Sequence, residues 1–213
     1  MLPTTDQEAL ITQVTEYVKQ FMSNYDGSHD FKHIERVLAL SLRIASASPN
    51  SYHLPTIKLA ALLHDVGDKK YLQPGDDPNT MVRDVLLSFG AEQSLASKIQ
   101  TICSAVSYSS EIVDYPYVQD LVRQYPELGP VQDADRLDAI GAVGIARVFT
   151  YGGSHGGRPL QASLDHFPIK LLKLEHLMKT DMGKQLARER TERLTTFMEW
   201  FGEESKCEDS FGH

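Results

Sequence analysis

Leu59-Ala60-Ala61-Leu62-Leu63-His64-Asp65-Val66-Gly67-Asp68 joins an unbroken apolar run to an imidazole and two carboxylates. Five successive apolar residues leave a helix no polar face, so other elements must enclose it. The run is far short of the roughly 20 apolar residues a membrane span needs. The polar end is costly to bury unless its groups are paired or hold a cation. Neighbouring helical positions lie about 100° apart, so His64 and Asp65 can lean toward one point beside the helix. Asp68 falls four residues after His64 and shares their stripe if the helix continues that far. A capped or salt-bridged end to a core helix is the plainer reading of the same residues.

Working outward, apolar residues recur at helical spacing almost everywhere. Leu10, Ile11, Val14, Tyr17, Val18 and Phe21 predict a helix over about 5–23. Ile34, Val37, Leu38, Leu42 and Ile44 predict a second over about 29–47. Pro55 suits the first turn of the helix that carries the quoted run through Val66. Asp76-Asp77-Pro78 reads as a cap and first-turn proline for a helix ending near Gly90. Further helices are expected over about 92–108, about 131–150 after Pro130, about 166–179 and about 182–204. No stretch alternates strictly enough for a strand. The glycine cluster from Gly152 to Pro159 reads as a mobile surface loop between helices. No repeat or linker divides the chain. The expected fold is all-α, a single compact helical bundle over residues 1–213.

Composition narrows the function. Hydrophobic residues are 41% and charged residues 23%, which excludes a disordered chain. Lys plus Arg total 21 against 29 for Asp plus Glu, a net charge of −8. That argues against a nucleic acid polymer or an anionic membrane as partner, but leaves room for a local basic pocket. The two cysteines, Cys103 and Cys207, form no CxxC and no disulfide framework. The first residues lack a basic segment followed by an apolar one, so no secretory signal is read. The expectation is a soluble, cytoplasmic protein.

The histidines mark where chemistry can occur. His29 and His33 are four residues apart, His29 at the mouth of its helix and His33 inside it beside Ile34 and Val37. Taken alone, each reads as an imidazole hydrogen-bonded to backbone. Asp133, Asp135 and Asp138 open an otherwise apolar helix, where the macrodipole favours acids. Acids placed only for the dipole should be solvated, yet Asp135 and Asp138 sit among residues with core character.

The order of a His, then His-Asp, then Asp, all on helices, resembles the HD-domain metal-dependent phosphohydrolase superfamily. In detail it is similar to the small standalone nucleotide pyrophosphohydrolase-type members of bacteria and fungi. A bare His-Asp pair carries almost no signal. The resemblance rests on SHDFKHIERV at 28–37, LAALLHDVGDKK at 59–70, DADRLDAIGAVGIARVF at 133–149, YGG at 151–153 and HFPIKLLKL at 166–174. It implies an HD-domain helical bundle with His33, His64, Asp65 and Asp135 as metal ligands. Two neutral imidazoles and two carboxylates balance one divalent ion, with Mn2+ first and Fe2+, Co2+, Ni2+, Mg2+ or Zn2+ also suited. Such an ion would lower the pKa of a water and polarise phosphorus.

The resemblance further implies that Asp68 orients or deprotonates the attacking water. His29 is the expected outer partner or proton donor to the leaving group. Lys69, Lys70, His166 and Lys170 are the expected contacts to substrate phosphates. His155 and Arg158 are lid candidates. The expected substrate is a small phosphorylated metabolite, a nucleotide foremost. Dinuclear oxygenases of this fold need further histidines, and none occurs from Val66 to Ala134. A mono-iron O2-dependent enzyme remains the alternative, because two histidines and a carboxylate also form an iron triad. A non-catalytic helical regulatory or binding module is the other alternative, and the complete ligand set argues against it. Leu186, Leu194, Phe197, Met198 and Phe201 read as core, with a partner or homodimer face as the alternative.

Overall fold

The computed structural model describes residues 4–24, 30–68 and 72–206, and among these it is helical throughout, with no strand. In chain order the helices are α1 (Thr4–Phe21), α2 (Phe31–Ser46), α3 (Leu54–Leu63), α4 (Met81–Ser88), α5 (Gln93–Ser104), α6 (Tyr108–Val113) and α7 (Tyr115–Gln124). They continue as α8 (Leu128–Asp138), α9 (Gly141–Ser154), α10 (Leu160–Leu164), α11 (His166–Ile169) and α12 (Asp181–Glu204). Short 3-10 segments follow α1 at Met22–Asn24 and α11 at Leu171–Leu177. The all-α expectation holds. No helix among the described residues is long and apolar enough to cross a membrane.

α3 lies at the centre because it has no face that tolerates water. Its residues Ile57 and Leu59 to Leu63 are buried, and α1, α2, α5 and α8 pack around it. Each fully buried aliphatic side chain of this kind contributes about 1.5–3 kcal/mol. On the other side of α8, α12 packs against α9. Leu186 and Leu194 are buried there, and Phe197 and Phe201 join Phe149 and Phe167 in an aromatic cluster. The α12 stripe is therefore core.

Several boundaries differ from expectation, each for a local reason. α3 stops at Leu63, not Val66. Val66 N donates to Leu63 O and Asp68 N to Asp65 O in successive turns, and Gly67 takes a φ of +91° that glycine alone adopts without strain. Asp68 thus leaves the α3 stripe. Pro78 does not begin α4: the Asp77 carboxylate accepts from Asn79 N, and Asp77 O accepts from Thr80 and Met81 N. This local turn holds the chain out of helix until Met81.

The single helix expected over about 131–150 is two helices, α8 and α9, broken at Ala139–Ile140, with Gly141 at φ +72°. Because α8 begins at Leu128, Asp133 lies at its middle and Asp135 and Asp138 in its last turn, where the macrodipole disfavours acids. They are held there by specific partners. The expected 92–108 helix ends at Ser104, and Ser107 and Asp114 cap the unanticipated α6 and α7 through Ser110 N and Tyr117 N. The 166–179 helix is α11 followed by the 3-10 segment. The glycine cluster is not simply loop: α9 runs through Ser154, and Gly152 is buried against Ser163, where a Cβ would come within 2.6 Å of Oγ.

Candidate active site

Asp30 caps α2 by accepting from His33 N at 3.2 Å, which fixes His33 in the first turn, 1% exposed. His64 is the C-cap of α3, with its side chain 2% exposed. Asp65 follows it, and Asp135 projects from α8 with its side chain 26% exposed. Since α2, α3 and α8 pack on one another, these four side chains meet. The His33 and His64 Nε2 atoms are 3.2 Å apart. Asp65 places Oδ2 3.4 Å from the first and Oδ1 3.4 Å from the second. Asp135 Oδ1 lies 3.6 and 3.8 Å from the same two nitrogens. One ligand atom each from His33, His64 and Asp135 fit within 4.8 Å of one another.

The other ring nitrogens decide what this cluster can hold. His64 Nδ1 is 2.8 Å from Ala61 O, and a carbonyl only accepts, so Nδ1 carries the proton. His33 Nδ1 donates to Asp138 Oδ2 at 2.7 Å. In the neutral rings both Nε2 lone pairs therefore face the same point as two carboxylates. Four acceptors so arranged repel one another unless a cation or a proton lies between them. Anchoring the second nitrogen on a carboxylate or carbonyl is how histidine ligands are ordinarily oriented. The donor set fits a divalent cation.

The protonation balance agrees. Burial pushes the His33 pKa down, but hydrogen bonds with Asp138 and Asp65 outweigh it and raise the value to about 9. Near neutrality the metal-free ring holds a proton where a cation would otherwise sit. Burial would raise the Asp138 pKa, yet the bonds from His33 and Arg36 hold this carboxyl well below the usual range. Arg36 Nε donates to Oδ1 at 2.7 Å, while Arg36 Nη2 and Arg147 Nη1 donate to Oδ2 at 3.0 and 2.9 Å. Asp138 is thus a fixed anion clamped between α2 and α9.

Asp138, Arg36 and Arg147 were not singled out by sequence as a unit. The three-residue spacings His33–Arg36 and Asp135–Asp138 were the available signal, since each puts the second residue on the face of the first. The neighbouring acid Asp133 points elsewhere, accepting from Lys179 N, Thr180 N and Thr180 Oγ1 at 2.7–2.8 Å and anchoring the start of α12. Arg136, beside Asp135, forms a fully buried pair with Glu111 at 2.6 Å, and Lys179 joins it at 2.7 Å. This network ties α6 and the residues before α12 to α8.

The remaining expected residues fall in three places. Asp68 is half-buried and is held to Asp65 by its backbone, so it arrives through a turn and not along a helical stripe. Lys170 Nζ sits 5.0 Å above the Tyr108 ring at the start of α6. Burial lowers the His166 pKa, and the adjacent charges of Lys170 and Arg158 lower it further, so these three basic side chains share one locale. His29, Lys69 and Lys70 lie outside the described residues.

No family model matches the chain. It is 32% identical over 192 residues to the uncharacterized protein YpgQ of Bacillus subtilis, covering 87% of this chain and 89% of that one. The crystal structure of Bacillus subtilis YpgQ in complex with ADP aligns with a TM-score of 0.73 at 32% identity, over 92% of this chain and 97% of that one. An HD-superfamily hydrolase from Bacillus thuringiensis aligns with a TM-score of 0.69 at 32% identity, over 93% and 97% of the two chains. The chain belongs to the HD superfamily of hydrolases. Its fold is that of an HD-superfamily hydrolase, and its His33, His64 and Asp135 form a cluster that could hold a divalent metal.

Proposed function

We propose that the chain is a cytoplasmic phosphohydrolase that uses one divalent ion, Mn2+ foremost, to hydrolyse a nucleotide at a phosphoric ester or anhydride bond. We take residues 1–213 as one hydrolase domain, supported by the continuous core around α3 and α8. The observation that carries the reading is the pair of Nε2 atoms 3.2 Å apart, each on a ring whose Nδ1 is anchored. His33, His64, Asp65 and Asp135 would hold the ion. When bound it supplies a Lewis acid for phosphoryl oxygen and a water of lowered pKa. The ADP complex of YpgQ supports a nucleotide as the ligand class.

The chain's own groups divide the remaining tasks. Asp68 orients the attacking water and takes its proton. His29 gives a proton to the leaving oxygen. Lys69, Lys70, His166 and Lys170 neutralise phosphate oxygens by charge-assisted hydrogen bonds. Asp138 keeps His33 in the tautomer that presents Nε2. The test is a screen of nucleoside mono-, di- and triphosphates with metal-stripped protein reloaded with Mn2+, Co2+, Ni2+ or Mg2+. Metal-dependent release of phosphate or pyrophosphate, undiminished without O2 and lost in His64→Ala, is expected. No release with any metal would reject the reading, and turnover that requires O2 would favour the mono-iron alternative.

A further inference from the structure

Between α8 and α9 the chain turns a tight corner. Gly141 takes its left-handed φ there, and a Cβ on Gly144 would overlap Ala139 O, so glycine at both positions lets α9 start hard against the end of α8. Arg147 follows Gly144 by three residues, on the face turned to that corner. Its Nη1 meets Asp138, the last residue of α8, at 2.9 Å. Another side of α9 carries Phe149, packed on Phe167, Phe197 and Phe201. Arg190 of α12 braces the same corner, with Nη1 on Leu137 O and its stem against Gly141.

The two oxygens of Asp138 are held in different ways. Arg36 grips both, Nε on Oδ1 at 2.7 Å and Nη2 on Oδ2 at 3.0 Å, and it belongs to α2, the helix of His33. Arg147 approaches Oδ2, the oxygen that also takes His33 Nδ1 at 2.7 Å. His33 and Arg36 move together because one helix carries both, so their bonds alone fix Asp138 only against α2. Arg147 adds a reference outside α2 and α8, since α9 is itself held by the aromatic cluster. A carboxylate 1% exposed at a helix C-terminus is disfavoured by burial and by the macrodipole, and a second cation offsets both.

We infer that Arg147 is a positioning residue for metal binding: from α9, and through Asp138 Oδ2, it fixes the His33 ring so that Nε2 faces His64, Asp65 and Asp135. The inference rests on the reading above that these four residues hold a divalent ion. Asp135 lies one turn before Asp138 on α8, so the same contact steadies the turn that carries another ligand.

Titration of metal-stripped protein with Mn2+, followed by the EPR signal of the free ion, reads the effect. Arg147→Met should weaken Mn2+ binding about 10-fold, the lower end of the losses found for outer partners of ligating histidines. Arg147→Lys keeps one charged donor for Oδ2 and should restore most of that affinity. Asp138→Asn removes the group through which Arg147 acts, so the double variant with Arg147→Met should bind Mn2+ like Asp138→Asn alone. Phe201→Leu loosens α9 from its aromatic side and should lower Tm without changing Mn2+ affinity. If Arg147→Met does not fold, Arg147→Gln makes the same comparison in both backgrounds. Unaltered affinity on loss of the Arg147 charge, additive losses in the double variant, or an equal loss in Phe201→Leu would overturn the positioning role and leave the metal reading standing. Wild-type protein that binds no Mn2+, or binds it no better than His33→Ala, would overturn both.

Discussion

Replacing Asp138 by Asn probes how the cluster is held without touching a proposed ligand. Asn keeps an oxygen for His33 Nδ1 but turns an NH2 toward Arg36 Nε, where Asp138 now accepts at 2.7 Å. A His33 pKa moved from 6.5 to about 9 corresponds to about 3 kcal/mol between its charged and neutral forms. Asp138 is the first of the two carboxylates that raise it, so losing its charge should cost the metal-free fold about 2 kcal/mol at pH 6. For a chain of this length that is a fall in Tm of roughly 4–8 °C. The sign follows from the raised pKa: this stabilisation is fully present below 6.5 and fades as pH climbs through about 9. Metal-free wild type should lose stability across that window, and Asp138→Asn, left with Asp65 alone to favour the charged ring, should lose clearly less. Mn2+ affinity should drop about 10- to 100-fold, as for other partners of ligating histidines. Binding at pH 7.5 should also release fewer protons, because less of His33 would be protonated beforehand. Differential scanning calorimetry and titration in buffers of unlike ionisation enthalpy read all three effects. Wild-type Tm, affinity and proton release in Asp138→Asn would refute the proposed linkage.

Asp68→Asn should lower kcat by about 10²–10⁴-fold with metal content and KM little changed, as expected on removing a general base. A fall in bound metal would instead make Asp68 a ligand or its support. Lys69→Ala with Lys70→Ala should raise KM with one metal per chain retained, and unchanged steady-state kinetics in the double variant would return both to solvated surface. Gly152→Ala drives a methyl into Ser163 Oγ and should cost about 1–3 kcal/mol in urea unfolding. An unchanged midpoint would mean that α9 and α10 separate freely.

The choice of His33, His64, Asp65 and Asp135 was legible only through the resemblance to HD-domain hydrolases, whose ordered motifs single out these four positions. The helical class was legible from the apolar periodicity. What failed were the breaks. Val66 and Ile140 are buried, so the apolar pattern runs on through turns where Gly67 and Gly141 have already reversed the backbone. That continuity hid the end of α3, and with it the true route to Asp68. The role of Asp138 was hidden for another reason: its partners His33 and Arg36 are more than a hundred residues away, and only the packing of α2 on α8 joins them. Asp133, Asp135 and Asp138 look equivalent in sequence. Their helical phase turns one toward α12, one toward the cluster and one behind His33.

Anomalous diffraction from Mn2+-loaded crystals tests the central claim most directly. A single peak bounded by Nε2 of His33 and His64 and by the carboxylates of Asp65 and Asp135 is the predicted result. A peak elsewhere, or two peaks within the cluster, would contradict a mononuclear centre built from these four residues.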